Sequence, residues 1–418
     1  MNLLFLSHRL PFPPNKGDKI RSHALFTYLA ARHSIHLGCF VDETRDFAHA
    51  KTVADMTSSL KLIPLTKQRK FLRSARALLN NSSITAEVYR DAEMQEWVDT
   101  VLRDEKIDGA VVFGSAMAPY MLKGEYLPPR HVVFDMVDLD SDKWQQYSKT
   151  VGFARSWIYR REATKLLALE RAAAAQFGIT YLVSPYEVQS FSRLAPESVT
   201  RIKSLSNGVN FDHFSPSAYA SPFPKDITPI VMTGRMDYWP NVEGAIWFAK
   251  AVLPLVKQKV PNVRFYIVGA QPVAALRHIT SDDIEISGDV LDVRPYIASA
   301  RVVVAPLRIA RGIQNKVLEA LAMCVPVVAT EEASRGLAVV GGRDIWVANS
   351  AEAFANSVVD AARSIDRKVI AANGRAYVEK YHNWNDLLAP LDTALEDLIE
   401  TAANRHEPSV LFGAQAIA

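Results

Sequence analysis

Short apolar runs alternate along this chain with longer stretches in which apolar and polar positions recur at helical spacing. This alternation is typical of a parallel sheet covered by helices. In the first half, the strand-like runs are Leu3–Ser7, Ile35–Val41, Leu60–Leu65, Gly109–Phe113, His131–Phe134 and Ile179–Ser184. The helical stretches are Ile20–Arg32, Ala92–Lys106 and the Ala-rich Gln145–Gln176.

A polar, proline-rich stretch from Ser206 to Pro229 interrupts the alternation and indicates a linker. Beyond it, strands are predicted at Ile230–Thr233, Val263–Gly269, Ile284–Ile286, Val302–Pro306 and Val325–Thr330. Helices are predicted at Val242–Lys257, Val290–Ala300, Ile313–Ala322 and Ala351–Ile365. The pattern therefore predicts an α/β protein with two parallel sheets, whose carboxyl ends meet at a cleft between domains.

We expect an N-terminal domain at residues 1–205 and a second domain at residues 206–384. A C-terminal helix at 385–403 should cross back to the first domain, and a tail at 404–418 should be disordered. A chain of 418 residues is long enough for two domains.

The net charge of +3 gives no reason to expect a nucleic-acid partner, and two distant cysteines provide no disulfide framework. The N-terminus has the pattern of a first strand and lacks the features of a signal peptide. No apolar run reaches the roughly 18 residues needed to span a bilayer. These observations predict a cytoplasmic protein, or one bound peripherally to the inner face of the cytoplasmic membrane.

The most informative motif is Gly312-Ile-Gln-Asn-Lys316-Val-Leu-Glu319-Ala. If this segment is a helix, Lys316 and Glu319 share one face and Gly312 lies one turn before Lys316. A helix N-terminus and a lysine bind phosphate, and a carboxylate one turn further on accepts hydrogen bonds from a ribose. A solvated salt bridge between Lys316 and Glu319 would explain the same spacing equally well.

Two segments of the first half follow predicted strands and are candidates for the cleft. In Lys16–Arg21, Gly17 allows close backbone approach to a phosphate, and Asp18 and Arg21 are polar neighbours; Asp18 as a helix cap in a solvated loop is the alternative. Asp135 and Asp138 follow another strand and suit an acceptor hydroxyl. A metal site at Asp138 and Asp140 is the less favoured alternative.

Two basic segments in the first half suit an anionic membrane surface, although plain solvated faces would look the same. Lys67–Arg76 carries five cations without an acid, and Phe153–Arg161 interleaves aromatic and basic residues.

Taken together, these motifs resemble the retaining, nucleotide-sugar-dependent glycosyltransferases of the GT-B fold, the large family 4 group. The features that carry the resemblance are the Pro11–Arg21 glycine loop, the Ser206–Asn210 hinge, Thr233-Gly-Arg235, and Lys316–Ala320 followed by Pro326–Thr330. Within that group, the chain looks most like bacterial exopolysaccharide sugar transferases found with exosortase-type (PEP-CTERM) export clusters.

The resemblance implies two Rossmann-like domains, of which residues 1–205 would bind the acceptor and residues 206–384 the nucleotide-sugar, and a role for each motif. Arg235 and Lys316 would neutralise the donor diphosphate as catalytic cations, and Glu319 would bind the ribose. The other donor-binding residues would be Gly312, Asn315, Arg311, Asp289 and Val290, the last two beside the nucleobase. The acceptor would be a glycan or a polyprenyl-linked glycan, and the reaction would need no metal and no other cofactor.

Three departures from the family pattern stand out. Arg311 occupies a position where relatives often have an acid, and it could face either the diphosphate, which we favour, or a carboxylate on the donor sugar. The segment Met236–Asn241 lacks the usual cation, so Lys316, Arg311 or Arg308 would have to supply it. Cys324 replaces a glycine that ends a helix, so the turn could differ in shape.

Two other functions fit the same plan. A sugar-nucleotide 2-epimerase would share the two domains but would need acid and base groups aimed at the sugar ring. A non-catalytic, sugar-nucleotide-binding partner in an assembly complex would tolerate loss of the site, whereas Arg235, Lys316 and Glu319 are intact in this chain.

Overall fold

The computed structural model describes residues 1–403, with side chains described as far as Glu400. The tail predicted at 404–418 lies outside the described residues. The predicted domain boundary at residue 205 falls between the strands Ile202–Ser204 and Thr228–Thr233. A helix is observed at Trp384–Ala403, where one was expected at 385–403.

The first sheet has seven parallel strands in the order β3-β2-β1-β4-β5-β6-β7. These are β1 Asn2–Ser7, β2 Ser34–Val41, β3 Ser59–Pro64, β4 Gly109–Phe113, β5 Val132–Val137, β6 Ile179–Leu182 and β7 Ile202–Ser204. The helices are α1 Gly17–Ala30, α2 Ala50–Ala54, α3 Lys67–Leu79, α4 Ile84–Val88, α5 Ala92–Asp104, α6 Asp140–Tyr147, α7 Phe153–Gln176 and α8 Pro185–Leu194. Short 3₁₀ helices lie at Thr44–His49, Ser115–Tyr120, Pro129–His131 and Pro196–Arg201.

The second sheet has six parallel strands in the order β10-β9-β8-β11-β12-β13. These are β8 Thr228–Thr233, β9 Val263–Val268, β10 Ile284–Gly288, β11 Val302–Ala305, β12 Val327–Ala329 and β13 Trp346–Val347. The helices are α9 Trp239–Trp247, a π-helical turn at Phe248–Val252, α10 Leu253–Lys259, α11 Ala274–Arg277, α12 Arg294–Ala298, α13 Asn315–Ala322, α14 Glu331–Ser334, α15 Ala351–Arg363, α16 Arg367–Tyr381 and α17 Trp384–Ala403.

Both sheets are buried on both faces, which explains why their strands are apolar almost throughout. In β1, Leu4 and Leu6 point into one core, whereas Leu3 and Phe5 point into the core on the other face. In each sheet the strand order reverses between two neighbouring strands, β1 and β4 in the first and β8 and β11 in the second. Ligands of such sheets bind beyond the carboxyl ends at this switch point.

The last helix, α17, lies against the first sheet although it follows the second in sequence. Leu388, Leu391 and Leu395 are buried in the same core as Leu3 and Phe5. The Tyr28 hydroxyl of α1 donates to Asp392 at 2.7 Å. No helix among residues 1–403 has the combined length and apolarity needed to cross a lipid bilayer.

The predicted elements differ from the observed ones in a few places, each with a physical reason. The single helix predicted at Gln145–Gln176 is two helices, because Ser, Thr and Gly residues between Ser148 and Gly152 are poor helix formers. The helix predicted at Val290–Ala300 is confined to α12, because the Asp292 side chain accepts from the Arg294 amide at 2.9 Å and ends the preceding loop. Strands β7 and β13, three and two residues long, are too short to give a pattern.

The turn after α13 keeps its left-handed shape although Cys324 stands at its centre. Cys324 has φ +57°, its amide donates to the Leu321 carbonyl at 2.9 Å, and the Val325 amide donates to the Ala320 carbonyl at 3.1 Å. These two bonds form a Schellman motif, which usually has glycine at this position. The chain therefore retains the turn and bears its conformational cost.

We predict that Cys324→Gly stabilises the protein by about 0.5–1 kcal/mol, because relief of the left-handed strain outweighs the greater flexibility of glycine in the unfolded chain. Chemical denaturation would measure the change. Cys324→Ala is the matched control, since it removes the thiol but keeps the strain. Equal stabilisation by both variants would show that the thiol, and not the backbone, is responsible.

Candidate functional site

The loops that follow the switch-point strands of the two sheets face each other. The loop after β1 carries Gly17, and α13 begins on the other side at Asn315. A Cβ atom placed on Gly17 would lie 3.9 Å from Nδ2 of the Asn315 side chain. The cleft expected at the carboxyl ends of the two sheets is therefore lined by the loop containing Gly17 and by the start of α13.

Lys316 is held at the end of β8, beside the Thr233-Gly-Arg235 turn. Its Nζ donates to Asn241 Oδ1 at 2.5 Å, and Asn241 Nδ2 donates to the Arg235 carbonyl at 2.8 Å. A Cβ atom on Gly234 would lie 3.0 Å from Lys316 Nζ. Of the three cations considered as replacements for the one missing from Met236–Asn241, Lys316 is the one at this turn. Arg308 is exposed and pairs with Glu243.

Lys316 and Glu319 lie one turn apart and are both half-buried, but Lys316 bonds to Asn241 and not to Glu319. The Lys316–Glu319 salt bridge that would also have explained their spacing is therefore not formed. Burial lowers the pKa of Lys316 to about 8, against the opposing charge of Glu319. Burial likewise raises the pKa of Glu319 to about 7, against the charge of Lys316. A ligand that supplies an anion to Lys316, or hydrogen-bond donors to Glu319, would stabilise the charged form of that side chain.

Arg235 extends from the same turn and is held by acceptors on both sides of the cleft. Its guanidinium donates to Asp237 at 2.7 and 3.0 Å and to Gln271 at 2.9 Å. Glu43 of the first half lies 3.6 Å from it. The side chain is therefore oriented by neighbouring residues.

Glu43 and Asn241 contact the candidate site residues, although nothing in the sequence singled them out. The Glu43 carboxylate pairs with Lys16, with Arg45 at 2.9 Å and with Arg235. Burial opposes its ionisation, but the hydrogen bond from Lys16 and the surrounding cations lower its pKa. The loop after β2 carries no recognisable motif, so only the tertiary structure reveals this group of cations around one carboxylate.

Gly312 lies outside α13, which begins at Asn315 with Gln314 as its N-cap. The helix predicted to begin at Ile313 therefore begins two residues later. Gly312 has φ +61°, and a Cβ atom there would lie 2.2 Å from Asp138 Oδ1. Glycine is required at this position both by the left-handed backbone and by the close approach of Asp138.

Asp138 reaches this position through an irregular end of β5. The pairing of β5 with β6 shifts register between Asp135 and Val137, and Val137 has φ +68°, an uncommon conformation for a β-branched residue. Asp138 Oδ1 is buried without a hydrogen-bond partner among the described residues. Burial raises the pKa of Asp138 to about 6, although Lys143 opposes the shift. Strain and an unsatisfied carboxylate together mark Asp138 as a candidate for ligand contact.

Arg311 pairs with acids of the first half of the chain. It pairs with Asp142 and, at 3.2 Å, with Glu187, and only 7% of its side chain is exposed. Burial lowers the pKa of Arg311, and the nearby charge of Asp138 opposes that shift. The guanidinium is therefore held by carboxylates of the first half, and its contact with the diphosphate stays a prediction.

Arg21 and Asp135 do not line the cleft, contrary to expectation. They form a two-pronged ion pair, with N–O distances of 2.8 and 3.0 Å, and each side chain is only 1% exposed. Burial raises the pKa of Asp135 despite the charge of Arg21. Arg21 also donates to the Ser206 carbonyl at 3.1 Å and to Asn207 at 3.0 Å, so the pair anchors the predicted hinge.

Asp18, predicted either to contact a ligand or to cap α1, pairs with side chains of the loop after β1. It accepts from Arg9 and lies 3.1 Å from His8 Nε2. Burial opposes ionisation, but the hydrogen bond with His8 and the charge of Arg9 hold the pKa of Asp18 well below its usual range. The carboxylate is a quarter exposed, so it orders this loop at the edge of the cleft.

Asn315, Asp289 and Val290 occupy the edges of the site. The Asn315 side-chain oxygen accepts from Asn207 Nδ2 at 3.0 Å, which ties α13 to the hinge. Asp289 and Val290 directly follow β10, and the exposed Asp289 lies 3.8 Å from Arg45. Among the described residues, no three His, Cys, Asp or Glu side chains are placed to hold a metal ion. Asp140, of the alternative metal site, lies 3.5 Å from Lys143.

Residues 228–364 match the protein family described as "Glycosyl transferases group 1". This match lies within the second half of the chain, and the first half is outside it. This matched region contains β8 to β13 and all of α13, and hence Arg235, Lys316 and Glu319. The enzyme class expected from the sequence, a glycosyltransferase, is confirmed. No curated protein is similar enough in sequence to count as a match.

Solved structures of glycosyltransferases share the fold over nearly the whole chain. HepE of Anabaena, solved in complexes with UDP, with UDP and glucose, and with UDP-glucose, superposes in the UDP and glucose complex with a TM-score of 0.67 at 14% identity, covering 95% of this chain and 100% of HepE. Sucrose-phosphate synthase of Thermosynechococcus elongatus gives 0.71 at 16% identity, with 96% and 100% covered. Trehalose 6-phosphate synthase of Burkholderia multivorans gives 0.65 at 12% identity, with 96% and 99% covered. The expected GT-B fold is thereby confirmed.

We predict that Arg311→Met lowers the melting temperature, because it leaves Asp142 and the buried Glu187 without their cation. Removing one partner of a buried ion pair typically costs about 3 kcal/mol or more. Arg308→Met is the matched control, since the exposed pair of Arg308 with Glu243 should contribute less than about 1 kcal/mol. Thermal unfolding of both variants would measure the difference. Equal melting temperatures would show that the Arg311 contacts do not stabilise the protein.

Proposed function

We propose that this glycosyltransferase transfers a sugar from a nucleotide-sugar to a lipid-linked glycan acceptor in bacterial exopolysaccharide biosynthesis. The observation that carries the donor assignment is the position of Lys316 beside the Arg235 turn, with Glu319 one helical turn further along the same helix. Two cations at the carboxyl end of the switch-point strand suit a diphosphate. A half-buried carboxylate suits the two hydroxyls of a ribose.

The donor diphosphate would lie between the Arg235–Lys316 end of the second sheet and the Gly17 loop of the first. Gly17 allows a phosphate to approach the backbone closely. Lys16, Arg45 and Arg235 all contact Glu43, so these three cations outnumber that one carboxylate and add positive charge there. Asp289 and Val290 would face the nucleobase. HepE has been solved with UDP-glucose, which makes that compound the first donor to test.

The reaction would proceed with retention at the anomeric carbon and without a metal ion. The leaving nucleoside diphosphate gains negative charge in the transition state, and Arg235 and Lys316 would stabilise that charge as fixed cations. Asp138 would position the acceptor hydroxyl from the opposite side of the cleft. The family 4 and exosortase-associated assignments rest on the sequence resemblance.

The acceptor side is supported by an apolar and basic surface on the first half. Phe71 and Leu79 on α3 are 74% and 86% exposed, and Phe153 and Trp157 on α7 are 92% and 61% exposed. Aromatic and basic side chains of this kind settle at the headgroup level of a membrane. We therefore propose peripheral attachment to the inner face of the cytoplasmic membrane.

Some cations of the two basic segments have structural partners and would contribute little to a membrane surface. Arg73 pairs with Asp91, and Arg161 donates to the Ala77 and Ser82 carbonyls at 2.9 and 3.0 Å. Lys67, Arg155 and Arg160 are exposed and are better suited to this role.

The pH dependence of donor binding tests the two helix residues. Lys316 is charged below its pKa of about 8 and Glu319 is charged above its pKa of about 7. Affinity for UDP-glucose, whose diphosphate does not titrate here, should therefore be greatest between these values and fall on both sides. Calorimetric titration across this pH range would measure it. Lys316→Arg should remove the fall at high pH, and Glu319→Gln should remove the fall at low pH.

At neutral pH, Lys316→Ala and Glu319→Ala should each weaken binding by about ten-fold or more without changing the melting temperature greatly. Lys250→Ala, an exposed lysine of the same half, is the control. Unchanged affinity in both site variants would place the donor elsewhere.

The reaction itself is tested by incubating the protein with a panel of nucleotide-sugars and isoprenyl-diphosphate-linked acceptors. We expect acceptor-dependent release of nucleoside diphosphate, a product with the donor's anomeric configuration, and full activity in EDTA. Conversion of the donor without acceptor would identify a 2-epimerase instead. Loss of activity in EDTA, restored by manganese or magnesium, would favour the Asp138–Asp140 metal site.

Membrane attachment predicts salt-sensitive binding to vesicles that contain phosphatidylglycerol, at about 1 kcal/mol per cation near the surface. The variant Phe153→Ser with Trp157→Ser should weaken co-sedimentation, because it removes exposed apolar area. Exposed Ile365→Ser in the second half is the matched control. Equal sedimentation of the two variants would remove α7 from the membrane-binding surface.

A further inference from the structure

A cavity of about 630 Å³ lies in the first half, between α3, α4, α7 and the 3₁₀ helix Ser115–Tyr120. None of the donor-binding candidates lines it. Its wall carries five cations and two carboxylates: Arg73, Arg76, Arg90, Lys123, Lys165, Glu87 and Asp91. The cavity is therefore large enough for a small ligand and has an excess of positive charge.

Both carboxylates of the cavity wall pair with arginines, so the two lysines have no carboxylate partner there. Arg73 pairs with Asp91, and the buried Glu87 lies 3.2 Å from Arg76 and 3.6 Å from Arg90. Neither Lys123 nor Lys165 has a carboxylate within 4.0 Å in the described part of the chain. Lysines directed at the same cavity repel each other unless an anion lies between them. Arginine and lysine around one cavity match the oxygens of a phosphate.

The cavity is next to the proposed membrane-binding face. Phe71, Leu72 and Leu79 on α3 are exposed, and Arg73 and Arg76 on the same helix reach the cavity wall. A lipid whose chain rests against the apolar side of α3 would hold its phosphate at the level of these arginines.

The cavity is also joined to the cleft by short stretches of chain. The helix Ser115–Tyr120 begins directly after β4, at the same sheet edge as Asp138. Tyr89, which precedes the cavity residue Arg90, contacts His8 at the end of β1 with ring centroids 5.6 Å apart. A group bound in the cavity would therefore lie beside the cleft edge of the first sheet.

We infer that this cavity binds the phosphate of an isoprenyl-linked acceptor, with Lys123 and Lys165 as its free cations. The inference rests on the proposed function for the identity of the acceptor. It assigns to the acceptor a binding site separate from the donor cations Arg235 and Lys316.

The test uses the full chain and farnesyl phosphate as a soluble isoprenyl phosphate, measured by isothermal titration. The double variant Lys123→Glu with Lys165→Glu should weaken binding by about ten-fold or more, because it reverses two charges at the site. Lys203→Glu is the matched control, since Lys203 is an exposed lysine on β7 at the opposite edge of the sheet from β3. Unchanged affinity in the double variant would overturn the inference. If that variant melts early, Lys123→Gln and Lys165→Gln measured singly give the same comparison.

Two further arms distinguish the source of the phosphate. Much weaker competition by inorganic phosphate supports an isoprenyl phosphate, whereas equal affinity for inorganic phosphate would overturn that assignment. Binding to phosphatidylglycerol vesicles that is lost in the double variant, without binding of farnesyl phosphate, would assign the cavity to bilayer headgroups and also overturn it.

The proposed function can fail separately. Lys316→Ala should abolish sugar transfer and leave farnesyl phosphate binding intact. If the unmutated protein binds farnesyl phosphate but transfers no sugar to isoprenyl-linked acceptors, the cavity site is upheld and the proposed function is refuted.

Discussion

The buried ion pair between Arg21 and Asp135 is the interaction on which the arrangement of the two halves depends. It joins α1 to the end of β5, and the remaining donors of Arg21 reach the Ser206 carbonyl and the Asn207 side chain. Asn207 in turn donates to Asn315 at the start of α13. A continuous path of hydrogen bonds therefore runs from the core of the first sheet to the helix that carries Lys316 and Glu319. Removing one partner would leave a charge buried and would typically cost about 3–5 kcal/mol.

The same hinge receives the chain a second time, after α16. The His382 ring lies 2.7 Å from the Asn207 carbonyl, and the Val209 amide donates to the His382 carbonyl at 2.8 Å. The two segments that connect the halves, around Asn207 and around His382, are thus hydrogen-bonded to each other. Helix α17 continues from His382 onto the first sheet. The position of the donor helix relative to the Gly17 loop is set by side-chain contacts at this hinge.

The charged side chains of the cleft form two groups with different partners. Arg235 and Lys316 stand at the end of β8 with polar partners that orient them, and this suits a diphosphate. Arg311 precedes α13 in the chain and is neutralised by Asp142 and Glu187. Because it is nearly buried, it is better suited to join the two halves than to meet the donor. Asp138 Oδ1, next to Gly312, has no hydrogen-bond partner among the described residues.

The sequence by itself determined the fold class, the two parallel sheets and the placement of Arg235, Lys316 and Glu319 near one strand end. These features follow from local patterns: apolar runs of strand length, helical spacing and glycine at turns. It failed where the deciding partner is distant in the chain. Arg21 and Asp135 are polar residues at strand and helix ends, which favours a cleft position, yet their mutual pairing buries them. Glu43, Asn241 and the cavity beside α3 have no local signal, because each exists only where segments far apart in sequence meet. Only the tertiary structure decided these, since burial and charge pairing depend on three-dimensional neighbours and not on spacing along the chain.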